Sequence, residues 1–384
     1  MTRTRMVALL AAIAALAFAG QAAAASKMFV GGQDDRSFQL LANRGELLDR
    51  AVNEAGWKIL RTNVAWYTVA PTRPANGADS NDPAYNFAAL DELVNNARAR
   101  GLDVLITIFG TPGWAAVNGP PCNGLPNPTG CLMPKKLSDL TNFARAVSSR
   151  YGSKVRFYTV WNEANTGRFL FPQYKNGKPV SPANYVKLYK AAYKGIKAGN
   201  PKAKVAIGLT SPRGRKGIQN KGTDQLFPLD FMKGVAKACG RSCKFDAYAH
   251  NPYPTNAKAP ATQGLPFPSV NLSKLGPFVN EIKKAFKLRK APKLWITEMG
   301  FRTNPPDPKA MSASQQAQSA KKSLQIAKAN KNVELYIWFI LQDDSGAPAP
   351  TAWEAGGGLL DSTGAPKPAL AAFAAIARGI QKPY

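Results

Sequence analysis

Tyr158-Thr159-Val160-Trp161-Asn162-Glu163 and Lys293-Leu294-Trp295-Ile296-Thr297-Glu298 are two short β-branched and aromatic runs, each ending on a glutamate. Such runs predict buried strands. A carboxylate is costly to bury, so one at the end of a core strand is expected to face a site. The chain has only eight glutamates, which makes the pair stand out. Glu46, Glu54, Glu92 and Glu281 fall in helix-patterned, surface-like stretches, Glu334 begins a strand, and Glu354 lies in a loop. The dipeptide Asn-Glu occurs three times, but only Asn162-Glu163 ends a strand. The plain alternative, two satisfied structural carboxylates, is disfavoured because core strands seldom end on unpaired acids.

Working outward from these runs, strand and helix patterns alternate eight times. The predicted strands are Lys27–Gly32, Trp57–Val64, Leu102–Phe109, Val155–Trp161, Val205–Leu209, Phe245–Ala249, Leu294–Thr297 and Val333–Ile340. The helical stretches are Leu40–Ala55, Phe87–Arg100, Leu137–Tyr151, Pro182–Ala198, Pro228–Ala238, Leu275–Leu288, Ser312–Asn330 and Pro368–Arg378. Ser138, Ser181, Ser273 and Ser312 stand where helix caps would, and Pro182 suits a first helical position. Eight unbroken βα units predict an α/β fold, a (β/α)8 TIM barrel in one domain over residues 26–384. A doubly wound open sheet is the alternative. It would want a glycine-rich phosphate loop, and Gly31-Gly32 is followed by Gln33-Asp34-Asp35 instead of a third glycine. Long insertions follow strand three (Thr111–Pro134) and strand six (Asn251–Val270), on the face where barrel sites lie.

Residues 1–25 read as a secretory signal peptide. Arg3 and Arg5 form a charged start, Met6 to Gly20 is apolar, and small residues follow. A retained anchor is the competing reading, but the apolar stretch is short for one. A soluble mature protein, extracellular or periplasmic, is expected. Four cysteines agree with an oxidising compartment: Cys122 with Cys131 in one loop, and Cys239 with Cys243 four apart. A zinc site using all four would require loops at opposite ends of a barrel to meet.

The formal charge is +28, and loss of Arg3 and Arg5 with the leader leaves +26. Such a surface attracts anionic polymers or envelopes. The basic residues are scattered and no nucleic-acid motif is present, so no nucleic-acid partner is expected.

On a barrel, the C-terminal strand ends converge on one cleft. They carry Asp34 and Asp35, Arg61, Trp66, Trp114, Asn162 and Glu163, His250, Tyr253, Glu298 and Trp338. A carboxylate pair in such a cleft can break a glycosidic bond, one acid protonating the leaving oxygen and the other attacking the sugar carbon. Aromatics stack on sugar faces and polar groups bind hydroxyls. Arg61, Trp66, Trp114, Asn162, His250, Tyr253 and Trp338 are therefore candidate substrate contacts, with barrel packing the alternative for each aromatic. His250 is the only histidine. It excludes a metal site built from several histidines, and with no Gly-x-Ser-x-Gly elbow a Ser-His-Asp triad is not expected. No metal or cofactor is expected.

Trp161-Asn162-Glu163, Thr297-Glu298-Met299-Gly300, Arg61, His250, Tyr253 and Trp338 together resemble the retaining glycoside hydrolases of clan A, especially the cellulase-like family five and xylosidase-like family thirty-nine. Gly110-Thr111-Pro112-Gly113-Trp114 is similar to the strand-three end of the latter, and Gly358-Leu359-Leu360-Asp361 with Pro366-Lys367-Pro368 to their final loop and helix. The resemblance spans the chain after the leader. It implies Glu163 as acid/base, Glu298 as nucleophile, Asn162 as a partner of the sugar 2-hydroxyl, Tyr253 as a hydrogen-bond donor to the nucleophile, and Arg61 as the cation that keeps it ionised. Two features depart from it: no histidine lies near the end of strand three, and Asp34 and Asp35 have no firm counterpart.

The expectation is a monomeric, secreted retaining β-glycosidase acting on a polysaccharide or oligosaccharide, with an acidic polysaccharide one candidate class. The alternatives are a non-catalytic carbohydrate-binding or envelope protein on a hydrolase scaffold, and a basic surface adhesin.

Overall fold

A computed structural model describes residues 28–215 and 224–380. The predicted leader, residues 1–25, lies outside the described residues. Eight parallel strands close a barrel: β1 (Phe29–Gln33), β2 (Ile59–Ala65), β3 (Asp103–Phe109), β4 (Phe157–Val160), β5 (Lys204–Thr210), β6 (Ala247–His250), β7 (Lys293–Met299) and β8 (Val333–Phe339). Their bonded order is β1-β8-β7-β6-β5-β4-β3-β2. A helix follows each strand: α1 (Arg44–Asn53), α2 (Ala88–Ala99), α3 (Leu137–Tyr151), α4 (Ser181–Gly199), α5 (Pro228–Cys239), α6 (Leu275–Ala285), α7 (Ala313–Ala329) and α8 (Pro368–Ile380). Every predicted strand and helix is found, with ends moved by a few residues.

The capping serines divide. Ser312 accepts from the Gln315 backbone N–H, and the Gln315 side chain accepts from the Ser312 N–H, which closes a capping box. Ser138 and Ser181 lie inside their helices, and Ser273 sits in a short 3-10 turn before α6.

Two apolar layers hold the barrel. One cluster, drawn from strands alone, fills the lumen and includes Ile59, Leu105, Phe157, Ala247, Ala249, Trp295, Leu335 and Ile337. The larger cluster joins the opposite strand faces to the helices. Side chains alternate along a strand, so these lumen residues set which neighbours face inward. Ile59 puts Arg61 and Asn63 inward. Leu335 and Ile337 put Phe339 inward and Trp338 outward.

One irregularity matters for the mouth. Tyr336 and Trp338 of β8, two residues apart, pair with Ile296 and Met299 of β7, three residues apart. The extra residue is a bulge in β7. Trp295 lies in the lumen, so strict alternation would turn Glu298 outward. The bulge re-aims it into the mouth and sends Met299 into the outer layer.

Both disulfides are present, Cys122–Cys131 and Cys239–Cys243. The first cross-links the insertion after β3 and the second the turn before β6. Among the described residues, no helix is long and apolar enough to cross a membrane.

Candidate active site

The C-terminal ends of the strands open onto a cleft of about 640 Å³ that holds both glutamates. Glu163 follows β4 where the chain turns sharply. Trp161 and Glu163 have φ of 67° and 36°, the left-handed region that residues with a side chain seldom adopt. Such a conformation costs on the order of 1–2 kcal/mol per residue. It brings Asn162 and Glu163 to the same cleft.

Arg61 organises the floor. It is fully buried in the lumen. Its guanidinium pairs with the Glu298 carboxylate and donates to Gln33 Oε1 at 2.6 Å, Thr107 Oγ1 at 2.9 Å, the Thr297 carbonyl at 2.9 Å and Asn162 Oδ1 at 3.1 Å. The opposite oxygen of Glu298 accepts from the Tyr253 hydroxyl at 3.0 Å. A buried ion whose partner is removed costs about 3–5 kcal/mol. Arg61→Met is expected to lower stability by about that amount, measured by denaturant unfolding. A loss under 1 kcal/mol would show that Glu298 finds other support.

Glu163 sits differently. Its carboxylate accepts from Asn251 Nδ2 at 3.1 Å, and Asn251 Oδ1 accepts from Thr297 Oγ1 at 2.7 Å, beside Glu298. Burial, then the nearby Glu298 charge, push its pKa up from 4.5 to about 7, with the Asn251 bond, Arg168 and Arg61 opposing. The two carboxyl groups thus carry different chemistry: Glu298 has a bonded cation, and Glu163 retains its proton near neutrality. The folded-state pKa is raised, so the linked stability is full below about 4.5 and is lost as pH rises through about 7. Glu163→Gln is always neutral. Its melting temperature should gain roughly 2–4 °C on the wild type between pH 5 and pH 8. A gap independent of pH would contradict the raised pKa.

Of the sequence candidates, Asn162, Glu163, Tyr253 and Glu298 line the cleft, and Arg61 lies directly beneath it. Four others do not line it. Trp66 packs on Phe143 of α3, and Trp114 packs edge-on against Trp66 while donating to the Ala70 carbonyl at 2.9 Å. Ala247 and Ala249 face the lumen, so His250 points outward. It is fully buried against Phe278, between Thr210 Oγ1 at 2.8 Å and the Val270 carbonyl at 3.0 Å, and burial lowers its pKa to about 4. Trp338 also faces outward, onto Phe373, and donates to the Gly357 carbonyl at 3.1 Å.

The aromatic lining of the cleft includes instead Phe339, one residue past Trp338, and Trp353, whose ring centroid lies 4.3 Å from that of Tyr253. Gln33, Asn63, Tyr67, Phe109, Arg168, Arg213 and Glu354 complete much of the lining. Asp34 and Asp35 are structural. Asp34 caps the short helix after β1, binds the Gln342 N–H at 3.0 Å, and has its pKa raised to about 6, mainly by burial. Asp35 accepts from Gln33, Thr62 and the Asn63 N–H, and so braces the residues around Arg61. Among the described residues no cluster of His, Cys, Asp or Glu is arranged to hold a metal.

The closed barrel and the carboxylate pair at its mouth define a glycoside hydrolase architecture. The chain belongs to the glycosyl hydrolase catalytic core family, whose model matches residues 134–373. No curated protein matches it in sequence. Among solved structures, a family 39 glycoside hydrolase from the gut symbiont Bacteroides cellulosilyticus WH2 superposes with a TM-score of 0.64 at 22% identity, over 92% of this chain and 64% of that one. A monomeric beta-xylosidase from Caulobacter crescentus CB15 gives 0.62 at 17%, over 91% and 67%. Xylanase 10B from Thermotoga maritima gives 0.59 at 17%, over 92% and 95%. The chain therefore spans slightly under two thirds of the first of these proteins.

Proposed function

We propose that the protein is a retaining β-glycosidase that hydrolyses O-glycosidic bonds in a polysaccharide or oligosaccharide, acidic polymers included. The observation that carries the reading is the unequal pair: Glu298 held by Arg61 and Tyr253, and Glu163 close enough that the Glu298 charge raises its pKa. Glu298 Oε attacks the anomeric carbon and forms a glycosyl ester. As the bond to the leaving oxygen breaks, Glu163 delivers its proton to that oxygen. Glu163, now a carboxylate, takes a proton from water; the water oxygen attacks the anomeric carbon and releases Glu298. Asn162 meets the sugar 2-hydroxyl, and Tyr253 keeps the nucleophile oriented. Phe339 and Trp353 offer apolar faces to the sugar ring, replacing Trp66, Trp114 and Trp338 in that role.

Two disulfides support an oxidising compartment, and with the leader read at residues 1–25 they support export to the periplasm or beyond; a monomer is part of the proposal. The test is hydrolysis of aryl β-glycosides followed by NMR of the first-formed product. A β-anomer is expected. An α-anomer would replace double displacement with inversion. Glycan binding by the wild type with no cleavage of any glycoside would favour the non-catalytic alternative. Because Glu163 must be protonated in the first step, turnover should fall as pH rises beyond about 7.

A further inference from the structure

Two arginines stand beside the acid, where the mechanism has no use for them. Arg168 and Arg213 both line the cleft. Arg168 comes five residues after Glu163 and lies over the Phe169 ring at 5.2 Å. Arg213 follows β5 and is fixed by the carbonyls of Thr255 at 2.5 Å and Pro254 at 3.2 Å in the insertion after β6. Both share the cleft with Glu163. The Arg168 charge lowers the Glu163 pKa, and the Glu163 charge raises that of Arg213 against the burial that lowers it.

Several other arginines of this protein pair with acids: Arg44 with Glu92, Arg100 with Asp49, Arg150 with Asp91, and Arg156 with Asp103. Among the described residues Arg168 and Arg213 have no carboxylate in ion-pair contact. Two cations next to a general acid work against it, because they favour its ionised form. A ligand anion would neutralise them and return the proton to Glu163.

The acid must reach the leaving oxygen, so the departing sugar lies on the Glu163 side. We propose that Arg168 and Arg213 form an anion-binding subsite for the leaving-group sugar, selecting glycans in which that sugar carries a carboxylate or a sulfate. The inference rests on the assignment of Glu163 as the acid. Guanidinium forks match both groups through paired N–H donors.

The experiment has two arms. In the first, glucuronate, glucose 6-sulfate and glucose are titrated by NMR into the wild type, Arg168→Gln/Arg213→Gln, and Lys283→Gln/Lys284→Gln as a control for bulk charge. At least one anionic sugar should bind about tenfold or more tighter than glucose, and the arginine variant alone should lose that preference. Tighter binding of glucose 6-sulfate assigns the subsite to sulfated glycans, and tighter glucuronate to uronic acids. Equal binding of all three sugars, or equal loss in the lysine control, overturns the inference. In the second arm, wild-type kcat/KM on an acidic polysaccharide is compared with that on its carboxyl-reduced or desulfated form. A fall of about tenfold or more is expected, and equal rates overturn the inference while leaving the glycosidase reading intact. If anion binding depends on the arginines but neither the polymers nor aryl β-glycosides are cut, the glycosidase reading fails, the leaving-group assignment is overturned with it, and only an anion site remains.

Discussion

Glu298→Ala should abolish hydrolysis of every substrate, activated aryl glycosides included, with kcat down by at least ~10⁴-fold. No other described carboxylate is placed to form the glycosyl ester. In the proposed mechanism Glu163 carries the proton, and Glu354 sits on the short helix that also carries Trp353. The deletion leaves space where the carboxylate stood, so azide should fill it and attack an activated β-glycoside directly, giving an α-azide. Undiminished turnover in Glu298→Ala, or a β-azide from it, would show that the nucleophile is another group.

Glu163→Ala should fail in a different way. Glycosides with poor leaving groups need the proton and should slow by roughly 10²–10⁴-fold. An aryl glycoside with a good leaving group needs little protonation, so its first step survives. Deglycosylation then lacks a base, and the glycosyl-enzyme accumulates. Mass spectrometry of the quenched reaction should show the protein heavier by one sugar. Azide should restore turnover with a β-azide product, since it attacks the ester from the face that Glu163 serves. An α-azide from this variant would reverse the two roles.

The barrel was legible because eight buried strands and eight amphipathic helices each leave a periodic trace. The glutamates were legible because an acid ending an apolar run has little structural reason to be there. The inner surface of the cleft was harder to read. In a parallel strand covered on both faces the apolar run is continuous, so the sequence does not say which residues face the lumen. Trp338 and Phe339 are both aromatic, and only the lumen placement of Leu335 and Ile337 makes Phe339 the one that enters. The same parity sends His250 into the helix layer and leaves Asn251, one residue on, to hold Glu163. Glu298 reached the mouth in spite of parity, through a bulge that no residue of Leu294–Thr297 announces. Trp353 arrives from the loop after β8, and Arg168 and Arg213 from the loops after β4 and β5. Their convergence depends on barrel closure and left no local signal beyond a generally basic composition.

Arg61 gives the site an unusual standing in the history of the fold. Active-site residues often cost stability, and a lineage released from selection for activity usually gains by discarding them. Here the cation lies at the centre of the lumen, bonded to β1, β3, the end of β4 and β7, and Glu298 is the charge that answers it. Loss of the carboxylate alone would strand a buried positive charge. Drift away from hydrolysis by loss of Glu298 would have to pass through a less stable barrel, or change Arg61 as well. The intact pair can therefore be maintained by selection for folding as well as by selection for turnover.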